Sequence, residues 1–211
     1  YLPPFTAGGK EANTLKIATY NVDSFGNEQS GYSCKEIAAY MKEHRVDIIC
    51  FQEFAGNRYF TPDSIRNAFA DWQYAVIPQA PDSTPILQVA LFSKYPVKDS
   101  RLITYPDSRN CSMWCDLDID GQTIRVFNNH LQTTEVSQNK RRLERELAKN
   151  ELTGREKAVA RQLLEGLNEN FRKRAAQAKT LEQLIRTTPY PILVCSDFNS
   201  LPSSYTYSTV K

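Results

Sequence analysis

The chain has 211 residues, 41% hydrophobic and 24% charged, with a formal net charge of +2. That is an ordinary globular composition, long enough for one sizeable core and one domain. No run approaches the ~18 consecutive apolar residues of a membrane helix, and no charged start leads into an apolar core, so neither a transmembrane span nor a signal peptide is expected.

Residues 1–14 read as a linker. Leu15-Lys-Ile-Ala-Thr-Tyr-Asn21-Val-Asp23 then alternates apolar residues and turns polar, as a strand does on leaving a core. Ser33-Cys-Lys-Glu36 is a capping-box pattern, and Ile37, Tyr40, Met41 and His44 follow at helical spacing, which predicts a helix over 34–45. His44 reads as a surface residue at its end. Val46 to Glu53 is a second strand, nearly continuous in apolar residues until it stops at Gln52-Glu53. A helix between two such strands is the crossover unit of an α/β layer.

Thr61-Pro62 supplies an N-cap and a first-turn proline for a short helix with Ile65, Ala68 and Phe69 buried. Residues 73–78 and 86–93 read as strands joined by a Pro-rich turn, followed by strands over 97–105 and 113–119. Asp120-Gly121 marks a hairpin into 123–129, so the middle of the chain is expected to be mostly antiparallel. The third polar-tipped strand ends at Asn128-Asn129-His130-Leu131.

Residues 135–188 fit two or three helices, with a second capping box at Thr153-Gly-Arg-Glu156. Phe171, Ala175, Ala178, Leu181 and Ile185 mark the expected apolar face of the last helix. This region holds 13 Lys and Arg against 8 Asp and Glu, hence +5, leaving −3 for the rest. Such a basic stretch, Lys140 to Arg145 above all, suits a phosphate-rich partner, or is simply a solvated helix face. Pro191 to Asp197 is the last predicted strand, closing on Ser196-Asp197-Phe198-Asn199, and no further strand is expected after Pro202. The cysteines number five, and Cys50 and Cys195 lie inside apolar runs, so a disulfide framework is not expected. Cys111 and Cys115 miss the Cys-x-x-Cys spacing and find too few histidines for a zinc site.

The strand ends together offer Asn21, Asp23, Glu53, His130, Asp197 and Asn199. Taken singly, the two asparagines read as turn residues, Glu53 as a cap or surface acid and His130 as a core histidine. Taken together, carboxylates and amides without thiolates suit a hard cation, Mg²⁺ or Mn²⁺, bound with water and a substrate phosphate. One imidazole nearby can donate to a phosphoryl oxygen or move a proton.

In this order, Tyr20-Asn21-Val-Asp23, Gln52-Glu53, Asn129-His130-Leu131 and Ser196-Asp197-Phe198-Asn199 resemble the successive motifs of the endonuclease/exonuclease/phosphatase superfamily, over roughly residues 15 to 202. The resemblance implies a four-layer α/β sandwich, two mixed sheets packed face to face with helices outside, over residues 15–211. It implies a metal-dependent hydrolase of phosphate esters, either diesters or monoesters, acting on nucleic acid, phospholipid or inositol phosphate. Glu53 would be the main metal ligand with Asn21 beside it, and Asp23 a less general acid. Asp197 would orient the attacking water, Asn199 hold the scissile phosphate and His130 donate to a phosphate oxygen. Two later motifs of the family, an Asp-bearing strand and a final Asp-His pair, are not in this sequence. The expectation is therefore a monomeric domain lacking its last strands and feeble in turnover, or alternatively a phosphate- or nucleic-acid-binding domain on the same fold.

Overall fold

The computed structural model describes residues 14–80, 86–133 and 155–211, with side chains of the last segment from residue 165 onward. The expected linker up to Asn13, the capping box at Thr153 and the Lys140 to Arg145 patch lie outside the described residues. The elements are β1 (Ile17–Asn21), α1 (Tyr32–Glu43), β2 (Ile48–Gln52), α2 (Pro62–Ala68), β3 (Tyr74–Val76), β4 (Ala90–Ser93) and β5 (Val97–Thr104). They continue with β6 (Cys111–Ile119), β7 (Gln122–His130), α3 (Arg155–Arg186), β8 (Ile192–Asp197) and α4 (Tyr205–Val210).

The strands form two four-stranded mixed sheets, ordered β1-β2-β4-β3 and β5-β6-β7-β8. In the first, β1 runs parallel to β2 and the other pairs are antiparallel. In the second, β5, β6 and β7 form an antiparallel meander and β8 adds parallel to β7. The two parallel pairs follow from helical crossovers, since parallel neighbours cannot be joined by a tight turn. Asp120 and Gly121 close the β6–β7 hairpin with both φ values positive, at 51° and 82°, the backbone hand that matches strand twist.

Three apolar clusters stack the molecule into the expected four layers. Between the sheets, Ile48, Cys50 and Leu91 meet Met113, Cys115, Leu117, Val126 and Cys195. Outside the first sheet, Cys34, Ala38 and Met41 of α1 and Ile65 of α2 cover Ile49, Phe51 and Phe92. Outside the second, Ala178 and Leu181 of α3 and Val210 of α4 cover Trp114, Phe127 and Ile192. Every residue of β2 is buried because both its faces are covered, hence its unbroken apolar sequence. All five cysteines are free, buried thiols.

Several local readings need correction. Thr61 caps α2 as expected, accepting from Ser64 N–H at 3.3 Å. Ser33 does not cap α1, whose N-cap is Gly31 at φ 66°. Instead Glu28 reaches forward to take both Ser33 N–H and Oγ–H, at 2.8 and 2.7 Å. A carboxylate is a stronger acceptor than a hydroxyl, so it wins the helix start. Past Pro202 the chain forms α4, capped by Ser204. On α3, Phe171 is 53% exposed, and Asn170, Arg174 and Gln177 are buried in the place expected for apolar side chains.

Candidate active site

The site forms where β1, β2, β7 and β8 end. β1 pairs with β2 in register Asn21↔Gln52, and β7 with β8 in register His130↔Asp197. Parallel pairing therefore brings polar tips from distant parts of the chain to one end of the sandwich. Two strand ends then bend. Glu53 at φ 50° and Asn199 at φ 47° adopt left-handed backbone, which costs on the order of 1 kcal/mol or more at a non-glycine position. Neighbouring hydrogen bonds hold them there, Ser24 N–H to Glu53 carbonyl at 2.8 Å and Asn199 N–H to Asp197 Oδ1 at 3.0 Å.

Asn21 is the hub. Its Nδ2 donates to Glu53 Oε1 and to Asp197 Oδ2, each at 2.9 Å, while its Oδ1 accepts Asp23 N–H at 3.0 Å. The asparagine turn foreseen as the plain alternative is present at Asn21 and serves the cluster, whereas at the β8 end the turn is made by Asp197 Oδ1 accepting Asn199 N–H, and the Asn199 side chain turns to the Leu131 carbonyl instead. His130 lies beneath, only 1% exposed, with Nε2 3.5 Å from Glu53 Oε1 and 4.0 Å from Asp197 Oδ2. Among the described residues neither buried ring nitrogen finds a hydrogen bond of full geometry. Burial pushes its pKa below the ordinary imidazole value, while the Asp197 and Glu53 charges and the Leu87 backbone oppose the shift.

A cavity of about 560 Å³ opens in front, lined by Asn21, Glu53, Asp197 and Asn199 together with Asp107, Arg109, Glu169 and Lys173. The structure thus gathers Asn21, Glu53, His130, Asp197 and Asn199 into one cluster. His130 is not a lining residue, and Asp23 stands exposed in the turn after β1, outside the cavity lining. Asn199 commits one amide hydrogen to the Leu131 carbonyl at 3.0 Å.

The donor set suits a hard cation. Two anionic oxygens converge on a single amide nitrogen, so positive character is already called for at one point between them. Among the described residues no three His, Cys, Asp or Glu side chains form a closed metal group. One or two carboxylates completed by water and phosphate is the way Mg²⁺ binds.

Sequence reasoning missed the groups that hold this cluster in place. Asn128 accepts from Gln52 Nε2 at 2.7 Å and donates to the Phe51 and Ala90 carbonyls at 3.0 and 2.9 Å, joining the two sheets through one buried amide. Asn129 donates to the Cys195 carbonyl, and Asn110 to the Leu131 carbonyl, both at 3.0 Å. Arg174 and Gln177 of α3 brace the site by holding the backbone of Gln132, just past β7. The one sequence signal for them was polar residues at buried-strand and helix-face positions, which by composition alone read as surface.

Two mixed sheets packed face to face, with carboxylates converging at their strand ends, define the deoxyribonuclease I-like class of folds. The chain belongs to the Endonuclease/Exonuclease/phosphatase family, whose model matches residues 18–211; members are hydrolases acting on phosphoester bonds. No curated protein sequence matches it significantly. Among solved structures it is similar to a Staphylococcus aureus beta toxin mutant with bound magnesium ions, at 16% identity and TM-score 0.63, over 93% of this chain and 68% of that one. Sphingomyelinase C from Streptomyces griseocarneus matches at 16% identity and TM-score 0.60, over 92% of this chain and 66% of that one. A humanized D. rerio TDP2 matches at 14% identity and TM-score 0.59, over 93% and 70%. At such identities the likeness establishes the fold.

Proposed function

We propose that this chain carries the metal-dependent hydrolytic site of a phosphoesterase. The observation that carries the reading is the convergence of Glu53 and Asp197 on Asn21 Nδ2 at the floor of an open polar cavity. Glu53, aided by Asn21 and Asp197, would hold Mg²⁺ or Mn²⁺, which when bound neutralises charge on the phosphoryl oxygens. Asp197 orients a water for in-line attack. Asn199 holds the scissile phosphate, and His130, buried beneath with Nε2 3.5 Å from Glu53 Oε1, backs the carboxylate that would hold the ion rather than reaching the phosphate itself. Asp23 has no role in this scheme. The bound magnesium of the beta toxin structure supports the choice of ion, and the sphingomyelinase and TDP2 likenesses support a phosphodiester, of a lipid headgroup or a nucleic acid, as the substrate class.

A second reading, phosphate binding without turnover, is favoured by one observation. The chain has two histidines; His44 stacks on Tyr40 at the end of α1 and His130 is buried, so no imidazole stands in the cavity to protonate a leaving group. Loss of one general acid typically costs ~10²–10⁴ in rate. The deciding assay is hydrolysis of bis-p-nitrophenyl phosphate, a diester with a leaving group that needs no protonation, with Mg²⁺, with Mn²⁺ and with EDTA. Metal-dependent release abolished by Glu53→Gln supports hydrolysis. Release that is absent, or indifferent to both metal and Glu53, leaves the binding reading.

A further inference from the structure

Behind the cluster lies a buried cation that the proposed chemistry does not use. Arg174 is among the largest fully buried side chains, at 2% exposure. Its Nε donates to the Gln132 carbonyl at 2.7 Å and its Nη1 to Ser200 Oγ at 2.9 Å. Gln132 stands two residues beyond His130, and Ser200 one residue beyond Asn199. A single planar, rigid group therefore spans the continuations of β7 and β8. The third nitrogen, Nη2, is buried without a hydrogen-bond partner among the described residues. Burial pushes the Arg174 pKa down while the Asp197 charge holds it up, so the carboxylate that orients water and the guanidinium feel one another.

The helix around Arg174 is built for the same purpose. Asn170, Arg174 and Gln177 recur at spacings of four and three, and so share the inner face of α3. Gln177 Oε1 accepts Gln132 N–H at 2.7 Å, and its Nε2 donates to Ser108 Oγ at 3.3 Å. Gln132 Nε2 in turn donates to Asn170 Oδ1 at 3.2 Å. One turn further on, the same face becomes apolar with Ala178 and Leu181. A buried guanidinium is costly to desolvate, and aliphatic side chains would have served simple packing at that place as they do in the next turn.

We propose that Arg174 is the positioning residue of the site: held by α3, its fork fixes the strand end bearing His130 relative to the one bearing Asp197 and Asn199. Its effect on rate rests on the hydrolytic reading above; its effect on the two segments does not.

The test uses the full chain with Arg174→Lys, which keeps the charge and loses the fork, and Ser200→Ala, which removes one acceptor and leaves the buried charge alone. Amide hydrogen exchange is measured on both. In R174K, exchange is expected to quicken about tenfold or more at residues 131–133 and 198–201 while α1 and β2 stay protected. In S200A it quickens at 198–201 alone. Unchanged exchange in both segments, or a uniform rise across the chain, overturns the proposal. Where wild type shows Glu53-dependent hydrolysis, R174K should lower kcat by about 10²-fold, the cost of a misplacement near 1 Å, with KM within about twofold. Added guanidinium should restore part of the rate to Arg174→Gly. Wild-type kcat in R174K also overturns it. Absence of hydrolysis in wild type rejects the hydrolytic reading and leaves the exchange result to decide the positioning role.

Discussion

Replacing Asn128 by alanine should separate the two sheets energetically. The side chain is fully buried and makes three hydrogen bonds, accepting from Gln52 Nε2 and donating to the carbonyls of Phe51 on β2 and Ala90 on β4. Truncation removes these donors and leaves two buried carbonyls facing an emptied space, each costing about 1–3 kcal/mol when unsatisfied. Gln52 keeps its Thr19 Oγ1 and Cys50 carbonyl acceptors, at 3.1 and 3.3 Å, so it adds little. The expected loss is about 3–5 kcal/mol, a large share of the ~5–15 kcal/mol that stabilises a typical domain. Urea unfolding in EDTA measures it, with fluorescence reporting from Trp72 beside the first sheet and Trp114 in the second. Coincident reporting from both halves establishes that the transition is two-state. A double-mutant cycle with Gln52→Ala should return a small but non-zero coupling of about 0.5–1 kcal/mol, the worth of one shared hydrogen bond. A loss under 1 kcal/mol with unchanged denaturant slope, or strict additivity in the cycle, would refute the idea that this amide ties the sheets.

The same geometry sets the response to an ion, to two glycine substitutions and to alkaline pH. Magnesium at about 100 times its dissociation constant should stabilise the protein by about 2.7 kcal/mol, near 5–10 °C in Tm for a chain of this size; the shift should vanish in Glu53→Gln, and a shift that survives there would remove Glu53 from ion binding. Gly121→Ala, at φ 82° with open space around it, should cost about 1–2 kcal/mol in backbone strain alone. Gly31→Ala should cost more in the same unfolding assay, because its new Cβ would fall 2.2 Å from the Phe60 ring; equal costs would show that the ring simply yields. Burial pushes the Cys111 and Cys115 thiols up to about 12, from an ordinary 9.0. The folded state thus keeps protons that the unfolded chain releases above pH 9, so stability is intact below that pH and falls as pH rises. At pH 10 the two thiols together should remove about 3 kcal/mol. Comparing urea midpoints at pH 8 and 10 for wild type and C111A/C115A checks this, and an equal drop in both proteins would assign the alkaline loss elsewhere.

The strands and their polar tips were legible because burial on both faces writes an unbroken apolar run, as in β2, and leaving the core writes an abrupt Gln52-Glu53 or Asp197-Phe198-Asn199. Thr61-Pro62 and Asp120-Gly121 were legible because each residue type answers one local backbone demand. The supports of the site were not. Asn128 looks like any strand-end amide until β2 and β4 are laid across it, and Arg174 sits at a helix position indistinguishable by composition from its exposed neighbour Arg172. Ser33 misled because a capping box is read from four residues, whereas the acceptor that won, Glu28, stands five residues upstream across a bend. Periodicity failed on α3 for a related reason: its buried stripe changes from polar to apolar midway, so a search for apolar spacing selected the exposed Phe171.

The first sheet ends at β1 and the second at β8, and these two strands lie next to each other on one flank. Among the described residues neither has an outer neighbour, so that flank presents two rows of backbone donors and acceptors, with Tyr20 and Val194 standing exposed along them. Such a margin is a template for any extended peptide that reaches it. At high concentration the chain should therefore clump edge to edge while still folded, and short strand-forming peptides offered in excess should keep it dispersed.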